Sequence, residues 1–258
     1  MGFNSFLGEI PESLLQLKSL KYLGLSHNKF SVESLSFLNL AENSLEGGVL
    51  TCISSLRALE HLNLSFNHLT YKISPRFLFS NIIVVLDLSY NQLSGYLPKI
   101  ILESPEKSGL MVLDLTHNQF SGEIPPDFIE LHSLQALFLS HNLLTGEIPL
   151  RIGNLTYIQV IDLSQTHSQE LDALDSLKIL DVSNKKSSSE ITLTLAGCKS
   201  LEVVDLSYNN LSGPLNDALT KWSNLRYLSL SHNKFSGPLA IWIFMFESIQ
   251  TIDLSGNN

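Results

Sequence analysis

Aspartates recur at one position of a repeated phrase, and paired carboxylates can perform general acid–base chemistry. The phrase is LDLS or a close variant, and the aspartate lies four residues before a position that is usually asparagine. The aspartates in this position are Asp87, Asp114, Asp162, Asp181, Asp205 and Asp253. Because the whole phrase recurs with them, these carboxylates belong to a structural repeat, and we expect no catalysis from them.

Histidine and aromatic residues recur immediately before the same asparagine position. They are His27, Phe66, Tyr90, His117, His141, Tyr208 and His232. His117 and His141 belong to successive phrases, so neighbouring strands would bring them to about 5 Å from each other. Such a pair could bind a metal or sense pH. The plainer interpretation is that they are surface histidines without either task.

No other catalytic motif accompanies these residues. The sequence contains no phosphate-binding loop, no HExxH metal motif and no GxSxG nucleophile motif. The net charge of −9 argues against a nucleic-acid partner, which would require clustered lysine and arginine. We therefore expect neither an enzyme nor a cofactor, and neither a nucleic-acid partner nor a small-molecule substrate.

The asparagine position defines an internal repeat. LDLTHNQFSGEIP at 113–125 is followed by LFLSHNLLTGEIP at 137–149, so Asn142 repeats the place of Asn118. The asparagines in this frame are Asn4, Asn28, Asn43, Asn67, Asn91, Asn118, Asn142, Asn209, Asn233 and Asn257. Thr166 and Lys185 occupy the same frame. A dominant period of about 24 residues with leucine at fixed offsets indicates a leucine-rich repeat.

Each letter of the repeat has a physical role. Apolar residues alternate in LxLSxN, so Leu113 and Leu115 should point inward while Asp114 and Thr116 face solvent from a short strand. The asparagine turns the chain out of the strand, and its amide can bond backbone groups that would otherwise be buried unpaired. The glycine of GEIP tolerates a tight path, and the proline suits a second, edge-like extended segment. The stretch 127–137 should return as short helical turns.

The sequence therefore predicts one α/β leucine-rich-repeat solenoid across residues 1–258. We expect about eleven to twelve repeats, a concave parallel β-sheet, and a convex side of short 3-10 or helical turns and loops. A concave face with aromatic and polar side chains suits a peptide or protein partner. The candidate partner-binding residues are Asp87, Tyr90, Asp114, His117, Phe138, His141, Asp162, Asp205, Tyr208, Tyr227 and His232.

Three steps of the repeat depart from this dominant period. A polar insertion, ESPEKSG at 103–109, lengthens the step from Asn91 to Asn118. The steps from Asn28 to Asn43 and from Thr166 to Lys185 are short, and they predict defective joints near 29–43 and 166–192. These joints are either functional hinges or docking gaps, or the result of a deletion or an incorrect gene model. Because a solenoid depends on every neighbour interface, we expect residues 160–195 to be its softest part.

The repeat resembles a known family. GEIP at 8–11, 122–125 and 146–149 resembles the plant-specific class of extracellular leucine-rich repeats. The stretches 39–70, 151–164, 171–184 and 221–237 resemble kinase-lacking receptor-like proteins of the CLAVATA type. This resemblance implies the ectodomain of a plant receptor-like protein on the extracellular face of the plasma membrane. It further implies an extracellular peptide or co-receptor protein and a membrane-anchored, kinase-like partner, in peptide-hormone signalling for meristem and organ development.

The sequence departs from this family in several features. Peptide-sensing kinases of the class carry an Arg-x-Arg pair that clamps a ligand carboxylate, and the four arginines here form no such pair. That difference favours a co-receptor role. The sequence also shows no signal peptide, no cysteine-paired terminal caps and no membrane span. The cysteines, Cys52 and Cys198, would lie about 29 Å apart at about 4.8 Å per coil, so we expect two buried thiols on the return side.

Three sequons could carry a glycan: Asn63-Leu-Ser, Asn154-Leu-Thr and Asn210-Leu-Ser. Asn154 is the best candidate because it lies at an outer turn, and Asn210 is retained as a second. Asn63 falls on the concave strand, where a glycan would obstruct binding, so we do not expect it to be modified.

Three other interpretations of the chain remain open. The first is a soluble inhibitor of cell-wall-degrading enzymes, which uses the same repeat class and face. The second is a fragment of a leucine-rich-repeat receptor kinase. The third is a non-functional truncated product, which the two short joints favour.

Overall fold

Ten short parallel strands form the main sheet of the computed structural model. The structure describes residues 7–8, 29–30, 36–49, 58–100, 108–145, 152, 155–164, 175–184, 198–215, 219, 221–238 and 246–258. The ten strands, in spatial order, are β3 (Phe37–Asn39), β5 (His61–Asn63), β7 (Val85–Asp87), β9 (Val112–Asp114), β11 (Ala136–Phe138), β13 (Val160–Asp162), β14 (Ile179–Asp181), β15 (Val203–Asp205), β17 (Tyr227–Ser229) and β19 (Thr251–Asp253). The predicted parallel-stranded solenoid is confirmed.

Shorter strands form four small parallel sheets beside the main one. Their pairs are β1 (Leu7–Gly8) with β2 (Lys29–Phe30), β4 (Glu46–Gly47) with β6 (His68–Leu69), and β16 (Ser212–Gly213) with β18 (Lys234–Phe235). The fourth contains β8 (Ser94–Tyr96), β10 (Gln119–Gly122) and β12 (Leu143–Leu144). β10 ends at the glycine of GEIP, so this is the second extended segment that the proline predicts.

The return side contains short helices, as predicted. A 3-10 helix spans Pro126–Glu130 and buries Phe128 completely. Helix α1 spans Pro75–Leu78, where the hydroxyl of Ser74 accepts a hydrogen bond from the backbone amide of Arg76. A proline at or near the start of each helix fits the fixed φ of the first turn. No helix in the described part of the chain has the length and apolar character that a membrane span requires.

Leucine, replaced in some coils by isoleucine or valine, builds the core at two fixed positions of each coil. Leu113, in the middle of β9, is fully buried and pairs across the sheet with Leu86 and Leu137. Leu115, two residues later, is also fully buried. The prediction that Thr116 faces solvent is wrong, because its side chain is buried and its Oγ1 donates to Oδ1 of Asp114 at 2.8 Å. The hydroxyl position is a polar part of the interior.

The buried asparagine amide connects each coil to the one before it. Nδ2 of Asn118 donates to the carbonyl of Leu88 in the preceding coil (3.0 Å) and to those of Leu115 and Thr116 in its own. Its Oδ1 accepts the backbone amide of Leu93 at 2.9 Å. The same four bonds are made by Asn67, Asn91, Asn142 and Asn233.

The remaining asparagines of this ladder make parts of the same pattern. Asn209 donates to Val182 of the preceding coil, and Asn257 bonds to Leu230 and Phe235. Asn43 donates to two carbonyls of its own coil. Asn28 lies outside the described residues.

The sheet continues through the described part of the short step between Thr166 and Lys185. β13 pairs with β14, and β14 pairs with β15, with aspartate opposite aspartate at both interfaces. The strands therefore keep their register although the return path between them is shorter. Of the joint at 166–192, only 175–184 are described, and residues 31–35 of the other joint also lie outside the description. The softness of residues 160–195 stays a prediction.

Replacing Asn118 by alanine should destabilise the chain by about 2–4 kcal/mol. The change leaves three buried carbonyls and one amide without the partner that Asn118 supplies, and each such group costs about 1–3 kcal/mol if no water replaces it. Chemical unfolding followed by circular dichroism measures the difference. Asn210→Ala, one residue beyond the ladder, is the matched control and should change stability by less than about 0.5 kcal/mol. Equal losses from both variants would contradict a special role for the ladder.

Candidate functional site

The concave face carries its side chains in columns, because equivalent residues of neighbouring strands lie opposite one another. The column at the end of each strand, here called the acidic column, pairs Asp87 with Asp114 and Asp162 with Asp181. In order along the sheet it contains Asn39, Asn63, Asp87, Asp114, Phe138, Asp162, Asp181, Asp205, Ser229 and Asp253. The structure thus brings all the sequence-predicted aspartates into one line, which Phe138 and Ser229 interrupt.

Every aspartate in the acidic column also closes the turn that follows it. Oδ1 of Asp114 accepts the backbone amide of Thr116 at 2.9 Å, as well as the Thr116 hydroxyl. The same bond to the amide two residues later is made by Asp87, Asp162, Asp181, Asp205, Asp253, Asn39 and Asn63. Sequence reasoning missed this role, although an Asp or Asn whose side chain bonds the backbone two residues on is typical of such turns.

The carboxylates in the acidic column affect one another's ionisation. Burial raises the pKa of Asp114, and the charges of Asp87 and Asp162 raise it further, against the hydrogen bonds from Thr116. Burial likewise raises the pKa of Asp181, with Asp162 and Asp205 adding to it. At the end of the sheet the opposite holds, because the backbone amide of Ser255 lowers the pKa of Asp253. Ionisation is therefore disfavoured at Asp114 and Asp181.

Four rings stack along the next column, immediately before the asparagine ladder. We call Phe66, Tyr90, His117 and His141 the ring stack. Successive ring centroids lie 4.2, 4.0 and 3.9 Å apart, with interplanar angles of 9°, 18° and 12°. Tyr208 and His232 form a separate pair at 4.3 Å. All these rings are at least partly exposed, including 50% of Phe66, 43% of Tyr90 and 57% of Tyr208.

The ring stack is held by an unusual backbone conformation. Its residues have φ between +51° and +53°, in the left-handed region. His117 donates its amide to Ser140 of the next coil, and its carbonyl accepts the amide of Asn91 from the coil before. The same column has positive φ at Glu42, Asn184, Tyr208, His232 and Gly256. The conformation therefore belongs to the repeat itself.

His117 is biased toward its neutral form. Burial lowers the pKa of His117, the charge of His141 lowers it further, and Asp162 acts in the opposite direction. The two rings are almost parallel, so their nitrogens do not converge on one point as metal ligands must. Within the described ranges, no group of three histidine, cysteine or acidic side chains forms a candidate metal site.

A half-buried apolar column runs along the other side of the acidic column. It contains Val85, Val112, Ala136, Val160, Val203 and Tyr227, with Ile179 more exposed. The ten strands of the sheet contain no lysine or arginine. Arg226 lies at the margin, with its Nε 3.9 Å from Oε2 of Glu202. The face thus combines carboxylates, apolar side chains and rings, which suits binding better than catalysis.

The modification candidates lie in different environments. Oδ1 of Asn63 accepts both the amide and the hydroxyl of Ser65, so this asparagine is part of a turn on the concave face. Asn210 is half-buried beside the ladder. Asn154 and Cys52 lie outside the described residues, while Cys198 is completely buried in the core.

Comparison with known proteins identifies the repeat. One family model, described as "Leucine rich repeat", matches residues 175–235 and 199–258. A second, also described as "Leucine Rich Repeat", matches 58–79, 83–103, 109–131 and 133–155. Receptor-like protein 35 of Arabidopsis thaliana is 36% identical over 118 residues, which cover 39% of this chain and 12% of that protein.

Solved structures share the fold across nearly the whole chain. The plant peptide hormone receptor RGFR1, in complex with RGF2, has a TM-score of 0.80 and 27% identity, covering 98% of this chain and 42% of the receptor. The structure of PEPR1–AtPEP1 has a TM-score of 0.58 and 26% identity, covering 98% of this chain and 44% of that chain. The structure of a TDR receptor has a TM-score of 0.78 and 24% identity, covering 98% of this chain and 46% of that chain. At that identity the likeness supports the fold alone. The chain spans less than half the length of each of these structures.

Replacing Asp114 by asparagine should stabilise the chain at about pH 7. The pKa of Asp114 is higher in the folded protein than in the unfolded chain, so at a pH above the unfolded pKa the ionisation of Asp114 disfavours folding. The side-chain amide oxygen of the asparagine can still accept the hydrogen bond from the backbone amide of Thr116. We expect a gain of about 0.5 kcal/mol near pH 7 that disappears as the pH falls below about 4. Urea unfolding at both pH values tests this. Asp253→Asn, where the pKa is lowered, should give no gain, and a gain there would contradict the argument.

Proposed function

This chain belongs to the leucine-rich-repeat proteins, and we propose that it is a recognition ectodomain whose concave face binds an extracellular peptide or protein. The observation that carries the proposal is the continuous surface formed by the apolar column, the acidic column and the ring stack. Aromatic residues are enriched at protein interfaces, and a curved sheet presents an extended surface to a partner. The likeness to RGFR1, whose structure contains RGF2, supports a peptide as one such partner.

We propose further that the intact protein is a plant receptor-like protein at the extracellular face of the plasma membrane. The similarity to Receptor-like protein 35 supports this class over 39% of the chain. The stretches 39–70 and 221–237 add a resemblance to the CLAVATA type, and with it a role in peptide-hormone signalling for meristem and organ development. A membrane-anchored, kinase-like protein would then be the signalling partner.

A co-receptor role fits the charges of the face. A ligand carboxylate would need an arginine or lysine to bind it strongly, and the ten strands carry neither. Arg226, at the margin, already faces the carboxylate of Glu202. The chain would therefore hold a partner protein, or a ligand without a dominant carboxylate anchor, rather than clamp a free peptide terminus.

Charge reversal on the concave face should weaken partner binding. We expect Asp205→Lys to lower affinity for the partner about tenfold, because it removes a carboxylate and adds a like charge to any cation facing it. Surface plasmon resonance of the purified chain against a panel of synthetic plant signalling peptides and receptor-kinase ectodomains provides the measurement. Asp205→Asn keeps the turn bond to Ser207 and separates the charge effect from folding.

The convex side supplies the matched control. Glu130→Lys reverses a charge at the end of the 3-10 helix, away from the concave sheet, and should leave affinity unchanged. Equal losses from Asp205→Lys and Glu130→Lys would place the interface on an edge or on the convex side. Binding by no member of the panel would contradict recognition of these partner classes.

A further inference from the structure

The ring stack occupies a backbone position where rings are a poor conformational choice. Left-handed backbone suits glycine best and asparagine next, because a Cβ crowds the following carbonyl. Four residues beyond the ladder asparagine the chain mostly uses glycine for a positive φ, as at Gly95, Gly122 and Gly213, and Tyr71 is the exception among the described residues. Immediately before the ladder it places Phe66, Tyr90 and other rings instead. Rings therefore occupy a backbone position that glycine or asparagine would adopt with less strain.

Stability of the isolated chain does not account for these rings. Stacking of an exposed ring pair contributes about as much as the left-handed conformation of one bulky residue costs. The stack also leaves half of the Phe66 side chain exposed. A partner that covers the rings would bury the apolar surface that folding leaves exposed, and this burial would favour binding.

The Phe66 end of the ring stack differs from its middle. The ring of Phe66 stacks with Tyr90 on one side, and Glu42 holds the equivalent position in the coil on the other. The same kind of backbone hydrogen bond fixes both residues. The amide of Glu42 donates to the carbonyl of Ser65, and the amide of Phe66 donates to the carbonyl of Ser89. An exposed carboxylate therefore lies one coil from a ring that has a second ring on one face only.

A cation finds two complementary groups at this end. An aromatic face attracts a cation through its quadrupole, and a carboxylate attracts it through charge. Arginine suits the place better than lysine, because a planar guanidinium can stack on the ring while it donates hydrogen bonds to a carboxylate. The wider face adds to the attraction, with Asp87 one coil and Asp114 two coils beyond Phe66, and with no lysine or arginine in the ten strands of the main sheet.

We propose that the Phe66 end of the ring stack docks an arginine side chain from a basic, extended segment of the partner. The guanidinium stacks on Phe66 and bonds to the carboxylate of Glu42, while the segment lies along the exposed edges of Tyr90 and His117. This assignment rests on the proposed recognition function and narrows it to a basic partner segment.

The paired ring residues farther along the sheet offer an internal comparison. Tyr208 also ends a stack, with His232 on one side, and the equivalent residue in the coil on its other side is Asn184. An exposed ring is therefore present there without a carboxylate at the equivalent position of the neighbouring coil. Tyr208 should contribute less to arginine binding than Phe66.

Three synthetic peptides test the proposal. In the first, arginine alternates with serine; the second carries citrulline in place of arginine, and the third carries lysine. Isothermal titration calorimetry with the whole chain at low salt should give affinities that fall from arginine to lysine to citrulline. We expect at least about a tenfold difference between arginine and citrulline, because citrulline keeps the shape of arginine but lacks its charge.

Two variants locate the docking site. Phe66→Asn keeps a residue that tolerates left-handed backbone, and Glu42→Gln keeps the length of the side chain. Each should weaken binding of the arginine peptide about three- to tenfold and leave the citrulline peptide unchanged. Phe66→Tyr should keep full affinity, and Tyr208→Asn, which makes the same kind of change at the comparison site, should lose less than about twofold.

The possible outcomes separate this proposal from the function on which it rests. Equal affinity of the arginine and citrulline peptides, or full affinity in Phe66→Asn, overturns the docking site. If the Phe66 and Glu42 variants bind the arginine peptide with full affinity while Asp205→Lys loses affinity for its partner from the panel, recognition by the concave face stands and the arginine site does not. If Asp205→Lys has no effect on that partner either, the proposed function fails as well.

Discussion

The buried asparagine amide is the interaction on which the rest of the structure depends. A coil must turn sharply at the end of each strand, and the turn points several backbone groups into the interior. Asn118 and its equivalents bond to three carbonyls and one amide, so the turn can be buried without leaving these groups unpaired. One of the carbonyls and the amide belong to the preceding coil. The same side chain therefore closes a turn and joins two repeats.

The proposed binding surface follows from that turn. The residue before the ladder position takes a left-handed conformation, at Asn184 as well as before the ladder asparagines, and its side chain joins a column at the edge of the concave face. The aspartate four residues before the ladder closes the turn from the other side, so carboxylates line up beside the rings. Both columns therefore arise from the turn that every repeat makes, without any additional structural element. Side-chain identity can change at these exposed positions while the backbone stays the same, which is how one scaffold can serve different partners.

The sequence predicts those features that depend on residue type at a fixed spacing. Leucine alternation located the strands and the core, the asparagine frame located the turns, and the stretch after GEIP located a helical return. Burial of Thr116 was mispredicted because strict alternation assumes a strand that continues, whereas the strand ends at Asp114. The stacking of His117 on His141 at 3.9 Å, closer than the strand spacing, depends on a left-handed dihedral that spacing alone does not encode. The turn-closing role of the aspartates had a signal, the hydroxyl residue two places on, which the interpretation as a binding column overlooked.

The ladder bonds also have a direction along the chain. Seven of the described ladder asparagines bond to groups of the coil before them, as Asn142 does to Leu115 and Phe120, so a coil is completed by the repeat that follows it. During synthesis the chain emerges from its N-terminus, and the coil made last still lacks the amide that will close it. Folding on the ribosome must therefore trail synthesis by one repeat.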